Sequence, residues 1–124
     1  MKTSLALLLA VAAALVAAGT AAAKPPPLGK YGCTIGSANI LFGTVAIVDG
    51  GRYTKDGTKG TYSSGAAAVH FHDGITGFTL RFKGGSLNAV SGRWYRATGA
   101  GVAYEIALKN PRDGFESIYC EKRG

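Results

Sequence analysis

Gly77-Phe78-Thr79-Leu80-Arg81-Phe82-Lys83-Gly84-Gly85 decides how the rest of the chain is read. Phe78, Leu80 and Phe82 alternate with Thr79, Arg81 and Lys83, so apolar and polar side chains fall on opposite sides of an extended backbone. The closing glycine pair supplies the positive φ of a tight turn. The same pattern recurs where Val102, Tyr104, Ile106 and Leu108 alternate with Ala103, Glu105, Ala107 and Lys109. Tyr31, Cys33 and Ile35 share one side near the start, as Ile118 and Cys120 do near the end.

Between these runs stand Asp49-Gly50-Gly51, Asp56-Gly57, Ser64-Gly65, Asp73-Gly74, Thr98-Gly99, Asn110-Pro111 and Asp113-Gly114. Glycine, Asp and Asn tolerate the backbone of hairpin turns. The spacing predicts strands over 29–36, 39–48, 51–54, 60–64, 66–72, 77–83, 87–97, 101–109 and 115–122, and no helix after residue 23. So many short strands on tight turns cannot make a parallel sheet, which needs long crossovers. The fold class expected is all-β, an antiparallel meander of about eight short strands closed into a small barrel or packed as a sandwich. Gly43, Gly65 and Gly92 fall in or beside strands and are expected at bulges or bends.

The first 23 residues read differently. Lys2 precedes an unbroken apolar run over 5–18, followed by Gly19-Thr20 and three alanines, the pattern of a secretory signal peptide cleaved after Ala23. Of the 19 glycines only Gly19 lies in this leader, so the remainder is far richer in glycine than the usual ~7%. Domain organisation is then a signal peptide over 1–23, a proline-rich extended arm over 24–28 and one β domain over 29–124. The arm, Lys24-Pro25-Pro26-Pro27, cannot join a helix or a central strand. Export to the periplasm or medium puts Cys33 and Cys120 in an oxidising compartment, where an even count reads as a Cys33–Cys120 disulfide. First and last strands must then be neighbours. No stretch after the leader reaches the roughly 20 apolar residues that span a bilayer, and a monomer is expected.

Losing Lys2 with the leader leaves 13 basic against 7 acidic residues, a surface that attracts anionic partners. His70 and His72 alternate with Val69 and Phe71; in a hairpin with 77–83 they would share an outer face with Thr79, Arg81 and Lys83. That patch is the candidate binding site for an anion or an acidic partner, with charge added below pH ~6.5. Two histidines at i,i+2 are also half a metal site, but Arg81 and Lys83 would repel a cation and only Asp73 stands close, so no metal and no cofactor are expected. The basic residues are spread along the chain and the strand aromatics are core candidates, so nucleic acid is not the expected partner. No serine elbow, zinc-protease helix motif or phosphate loop occurs, so no catalytic residue is assigned and an enzyme is not expected.

Tyr31-x-Cys33, Asp49-Gly50-Gly51-Arg52-Tyr53, Gly57-Thr58-Lys59-Gly60-Thr61-Tyr62, Val69-x-Phe71 before Gly74-x-x-Gly77, and Tyr119-Cys120 together resemble a group of small exported bacterial β-proteins whose motifs carry no assigned chemistry. Gly50-Gly51-Arg52-Tyr53 and Tyr53-x-x-x-x-Thr58-Lys59-Gly60 are more loosely similar to loop motifs of the periplasmic inhibitors of c-type lysozyme, with an aspartate in place of the leading serine and spacing one residue longer. That resemblance implies an inhibitor loop of Arg52, Tyr53 and Lys59, with Lys59 engaging the enzyme's carboxylates. A basic chain facing a basic lysozyme would be repelled at long range. The functional expectation is therefore an exported, non-catalytic binding protein with a cationic strand face. The alternatives are an inhibitor of a secreted hydrolase and a structural, envelope-associated protein.

Overall fold

The computed structural model describes residues 23–36, 40–97 and 103–123; most of the leader, Val102 and the Thr98-Gly99 turn lie outside them. The period-two stretches become nine strands: β1 (Gly29–Ile35), β2 (Ile40–Ile47), β3 (Arg52–Lys55), β4 (Thr58–Ser64), β5 (Val69–His70), β6 (Thr76–Lys83), β7 (Ser91–Ala97), β8 (Ala103–Lys109) and β9 (Glu116–Lys122). All pairings are antiparallel. Eight strands close on themselves in the order β1-β2-β3-β4-β6-β7-β8-β9, with β9 back against β1. No described helix is long and apolar enough to cross a membrane. Among the described residues the one helical segment is a 3-10 turn, Gly85–Leu87, whose last residue is the expected start of a strand.

An eight-stranded barrel has an interior just wide enough for side chains to fill. Here Tyr31, Val45, Tyr53, Phe82, Ile106, Leu108 and Ile118 are each at most 1% exposed and fill it. Tyr53 meets Phe82 edge to face at 5.0 Å between centroids, and Phe78 stacks on Trp94 at 4.8 Å. Each fully buried side chain of this size contributes about 1.5–3 kcal/mol relative to exposure. Burial pushes the Tyr62 hydroxyl up to about 12, so it stays a neutral donor, giving its proton to the Asp49 carbonyl at 2.6 Å. Cys33 and Cys120 lie directly opposite one another on β1 and β9 and form the disulfide, which closes the seam.

Both mouths are stoppered. At one, Pro26 is fully buried. The phenol of Tyr31 donates to the Pro27 carbonyl at 2.7 Å, and the Trp94 indole donates to the Lys24 carbonyl at 2.9 Å, joined there by the Ser64 hydroxyl. The proline arm is thus a plug, where composition predicts only an extended tail. At the other mouth Leu87 is buried, and Tyr53 holds the loop by donating to the Gly84 carbonyl and accepting from the Leu87 N–H at 2.9 Å.

The bend expected at Gly43 is present: its φ of 113° lies beside the register shift between Cys33 and Thr34. Gly92 differs. It sits in regular register between Leu80 and Leu108, and a Cβ there would stand 2.1 Å from the Ala107 carbonyl, so glycine serves close strand approach rather than a bulge.

Candidate functional site

The largest shift in pairing is at β5. The chain leaves β4 with Ser64 opposite Leu80, and it rejoins the same edge of β6 with Val69 opposite Gly77. Five steps on one side therefore match three on the other, and the expected strand over 66–72 shrinks to two residues. His70 lies opposite Thr76, its Nδ1 3.1 Å from the threonine hydroxyl. Thr76 alternates onto the face of Phe78 and Leu80, not that of Thr79, Arg81 and Lys83. The single outer face expected for His70, His72, Arg81 and Lys83 is thus corrected by the register. His72 lies in the turn beyond β5 and lines one groove with Arg81; Lys83 borders an adjoining hollow of about 580 Å³ beside Asn88, of which Arg81 and Ser63 are also walls. His70 lines neither.

The turn over 71–75 folds back as a flap. It is knitted by Phe71 N–H to the Ile75 carbonyl at 2.9 Å and by Ile75 N–H to Asp73 Oδ1 at 3.1 Å. Arg93 holds it down. This residue alternates outward on β7, opposite Thr79 and Ala107, yet it is only 8% exposed. Its Nε and Nη2 donate to the two oxygens of Glu116, both at 2.8 Å. Nη1 and Nη2 donate to Asp73 at 3.2 and 2.6 Å. Two bidentate forks therefore join the flap to the start of β9 through one guanidinium. The rings of Phe71 and Tyr95 face its central carbon at 4.8 and 4.9 Å. The bonds from Arg93, then the Ile75 N–H, hold the Asp73 carboxyl down to about 2. Glu116 and then Asp73 raise the Arg93 guanidinium further above its already high value. Burial, and then the bond to Glu105 at 2.8 Å, raise the Tyr95 hydroxyl.

Beside this clasp runs an open groove of about 970 Å³. Its walls are the flap (Phe71, His72, Asp73) and the segment Gly114, Phe115 and Glu116. Its floor is the outer face of β6 and β7, recessed because Thr79 and Ser91 are small; Ser63 on β4 and Gly65 just beyond that strand continue it. Arg81, directly opposite both Ser63 and Ser91, and Lys109, opposite Glu116, project into it. Both are exposed, and neither has an ion-pair partner among the described residues. Phe115 and Tyr119 stand at the rim, 72% and 41% exposed.

Sequence reading reached Arg81 and His72 but missed Arg93, Lys109, Phe115, Glu116 and Tyr119 as parts of one site. Arg93 and Tyr95 alternate as surface residues do, and only the register sets the small Ala107 and Gly77 beside them. The residues of the inhibitor-loop reading are divided. Tyr53 is enclosed in the barrel, Arg52 pairs with Asp49 on the surface, and Lys59 is exposed on β4 rather than on a projecting loop. No set of three or more metal-ligating side chains gathers among the described residues. Comparison with known proteins finds no matching family, no matching curated protein and no matching solved structure.

Proposed function

We propose that this chain is an exported, non-catalytic binding protein whose outer groove takes an anionic ligand on Arg81 and Lys109. The observation that carries the reading is two exposed cations without counter-ions, aimed into one recess over a floor of small residues. Surface cations are ordinarily scattered and solvated, and a recess between low-dielectric walls concentrates their field. The barrel interior is occupied by its own side chains, so the groove offers the room that the interior lacks. Binding rather than catalysis is supported by the two carboxylates at hand. Both are engaged by Arg93, and Asp73, held down to about 2, has no proton to give near neutrality. The leader pattern and the disulfide support export.

The test is equilibrium binding of the purified protein to inorganic polyphosphate, polyglutamate and a polyuronate at low and moderate salt. At least one should bind, and binding should weaken as salt rises. The double variant Arg81→Gln/Lys109→Gln should lose about tenfold per charge removed, ~1.4 kcal/mol each. Absence of binding to all three, or a double variant that binds undiminished, rejects the proposal.

A further inference from the structure

The groove holds more than positive charge, and the surplus bears on what the ligand carries besides its anion. Asp73 and Glu116 keep 35% and 27% of their side-chain surface exposed, and both border the recess. Arg93 takes one direction at each of their oxygens. A carboxylate oxygen has two lone pairs; the Ile75 N–H takes the second at Asp73 Oδ1, so acceptor capacity remains at Asp73 Oδ2 and at both Glu116 oxygens. A phosphate chain, whose oxygens near neutrality are almost all acceptors, would meet repulsion there. A ligand with hydroxyl groups would meet partners.

The same recess offers the Ser63, Thr79 and Ser91 side chains along its floor. At its rim, Phe115 and Tyr119 expose apolar faces with no covering element among the described residues. Adjacent strands lie about 4.8 Å apart, so Arg81 on β6 and Lys109 on β8, two strands away, stand roughly 10 Å apart at the backbone. Carboxylates on a short pyranose chain can span that separation. The volume, about 970 Å³, lies at the upper end of the ~300–1,000 Å³ range of small-ligand sites and suits a chain segment better than a single small ion.

We infer that the groove's ligand class is a linear oligosaccharide of uronic acids. Its carboxylates sit on Arg81 and Lys109, its hydroxyls on Asp73, Glu116 and the floor hydroxyls, and its apolar ring faces against Phe115 and Tyr119. This rests on the anion-binding reading of the same groove and goes beyond it in naming what else the anion carries.

The experiment is calorimetric titration of the full protein with tetragalacturonate, its uncharged methyl ester and tripolyphosphate, repeated on Phe115→Ala and on Arg81→Gln/Lys109→Gln. Phe115 is exposed enough for its removal to leave folding intact, which an unchanged melting curve verifies. Tetragalacturonate should bind at least tenfold more tightly than either comparator. Phe115→Ala should weaken it about fivefold or more without altering tripolyphosphate, and the double variant should weaken it about a hundredfold. Tripolyphosphate binding as tightly as the sugar acid, with Phe115→Ala neutral, overturns the sugar assignment and leaves the anion groove standing. Binding of the methyl ester as tightly as the acid, or of neither the acid nor tripolyphosphate, overturns both.

Discussion

Opening the Cys33–Cys120 bond tests the barrel seam quantitatively. The two cysteines are 87 positions apart, so the bond closes almost the whole described barrel into a loop. Chain entropy of a loop that long gives ~15 cal/mol/K, or about 4.6 kcal/mol at 25 °C. That is a third or more of the total for most domains, which lies around 5–15 kcal/mol. The folded seam does not depend on sulfur alone, since Tyr31, Gly32, Cys33, Thr34 and Ile35 all have register partners on β9. The reduced protein should therefore fold to the same barrel, but marginally. Trp94, the single tryptophan, reports the transition. With a urea slope of about 2 kcal/mol/M, dithiothreitol should lower the midpoint by roughly 2.3 M. The Cys33→Ala/Cys120→Ala variant should fall further by ~1–2 kcal/mol, because both sulfurs leave a core where they are at most 2% exposed. Oxidised and reduced midpoints within about 0.5 M, or 1 kcal/mol, would mean that the bond scarcely stabilises the seam and that the unfolded chain already holds its ends together.

Three further outcomes are expected. Tyr53→Phe removes the hydroxyl shared by the Gly84 carbonyl and the Leu87 N–H and should cost about 1–3 kcal/mol in the same urea assay; a loss below ~0.5 would mean that the capping loop finds other partners. The flap should be acid-sensitive. Asp73 titrates lower folded than unfolded (ordinary value ~3.9), so its contribution is complete above that ordinary value and disappears as pH falls through about 2. Protection of the Phe71 amide, taken relative to its unstructured exchange rate at each pH, should fall across that window, and Asp73→Asn should be weakly protected throughout; identical protection in the two proteins at pH 6 contradicts the clasp. Trp94→Phe deletes the indole bond to the Lys24 carbonyl, so cleavage within 24–28 by a protease should quicken while the barrel melts within ~1 kcal/mol of the parent. An unchanged cleavage rate would show that Pro26 and the Tyr31 and Ser64 bonds seat the plug without the indole.

The barrel was legible because each of its eight strands has one face on a single core, which turns burial into alternation along the chain. Ile106 and Leu108, or Leu80 and Phe82, announce that core from sequence alone. Closure was legible because two cysteines leave one pairing. The site was not legible for a different reason. Ala66-Ala67-Ala68 carries no alternation, so nothing in it reveals the two extra steps between Ser64 and Val69 that carry β5 along the edge of β6 and set His70 opposite Thr76. Arg93 has the alternation of a surface residue, and what covers it is a flap from another part of the chain. Period reports which face a side chain takes; it is silent about what later lies down upon that face. The arm poses the same difficulty, since prolines specify an extended backbone without specifying where Pro26 docks.

The rounding of the sheet also governs how the molecule behaves among copies of itself. A strand with a vacant side is a template for aggregation, and natural sheets shorten or shield such strands. Among the described residues only β5 keeps one neighbour, and it offers two residues before the flap turns away. Crowded solutions of the oxidised protein thus present almost no ribbon to extend. Chains caught before β1 meets β9 present two seven-residue borders instead, which makes the moment of sulfur coupling a determinant of yield as well as of durability.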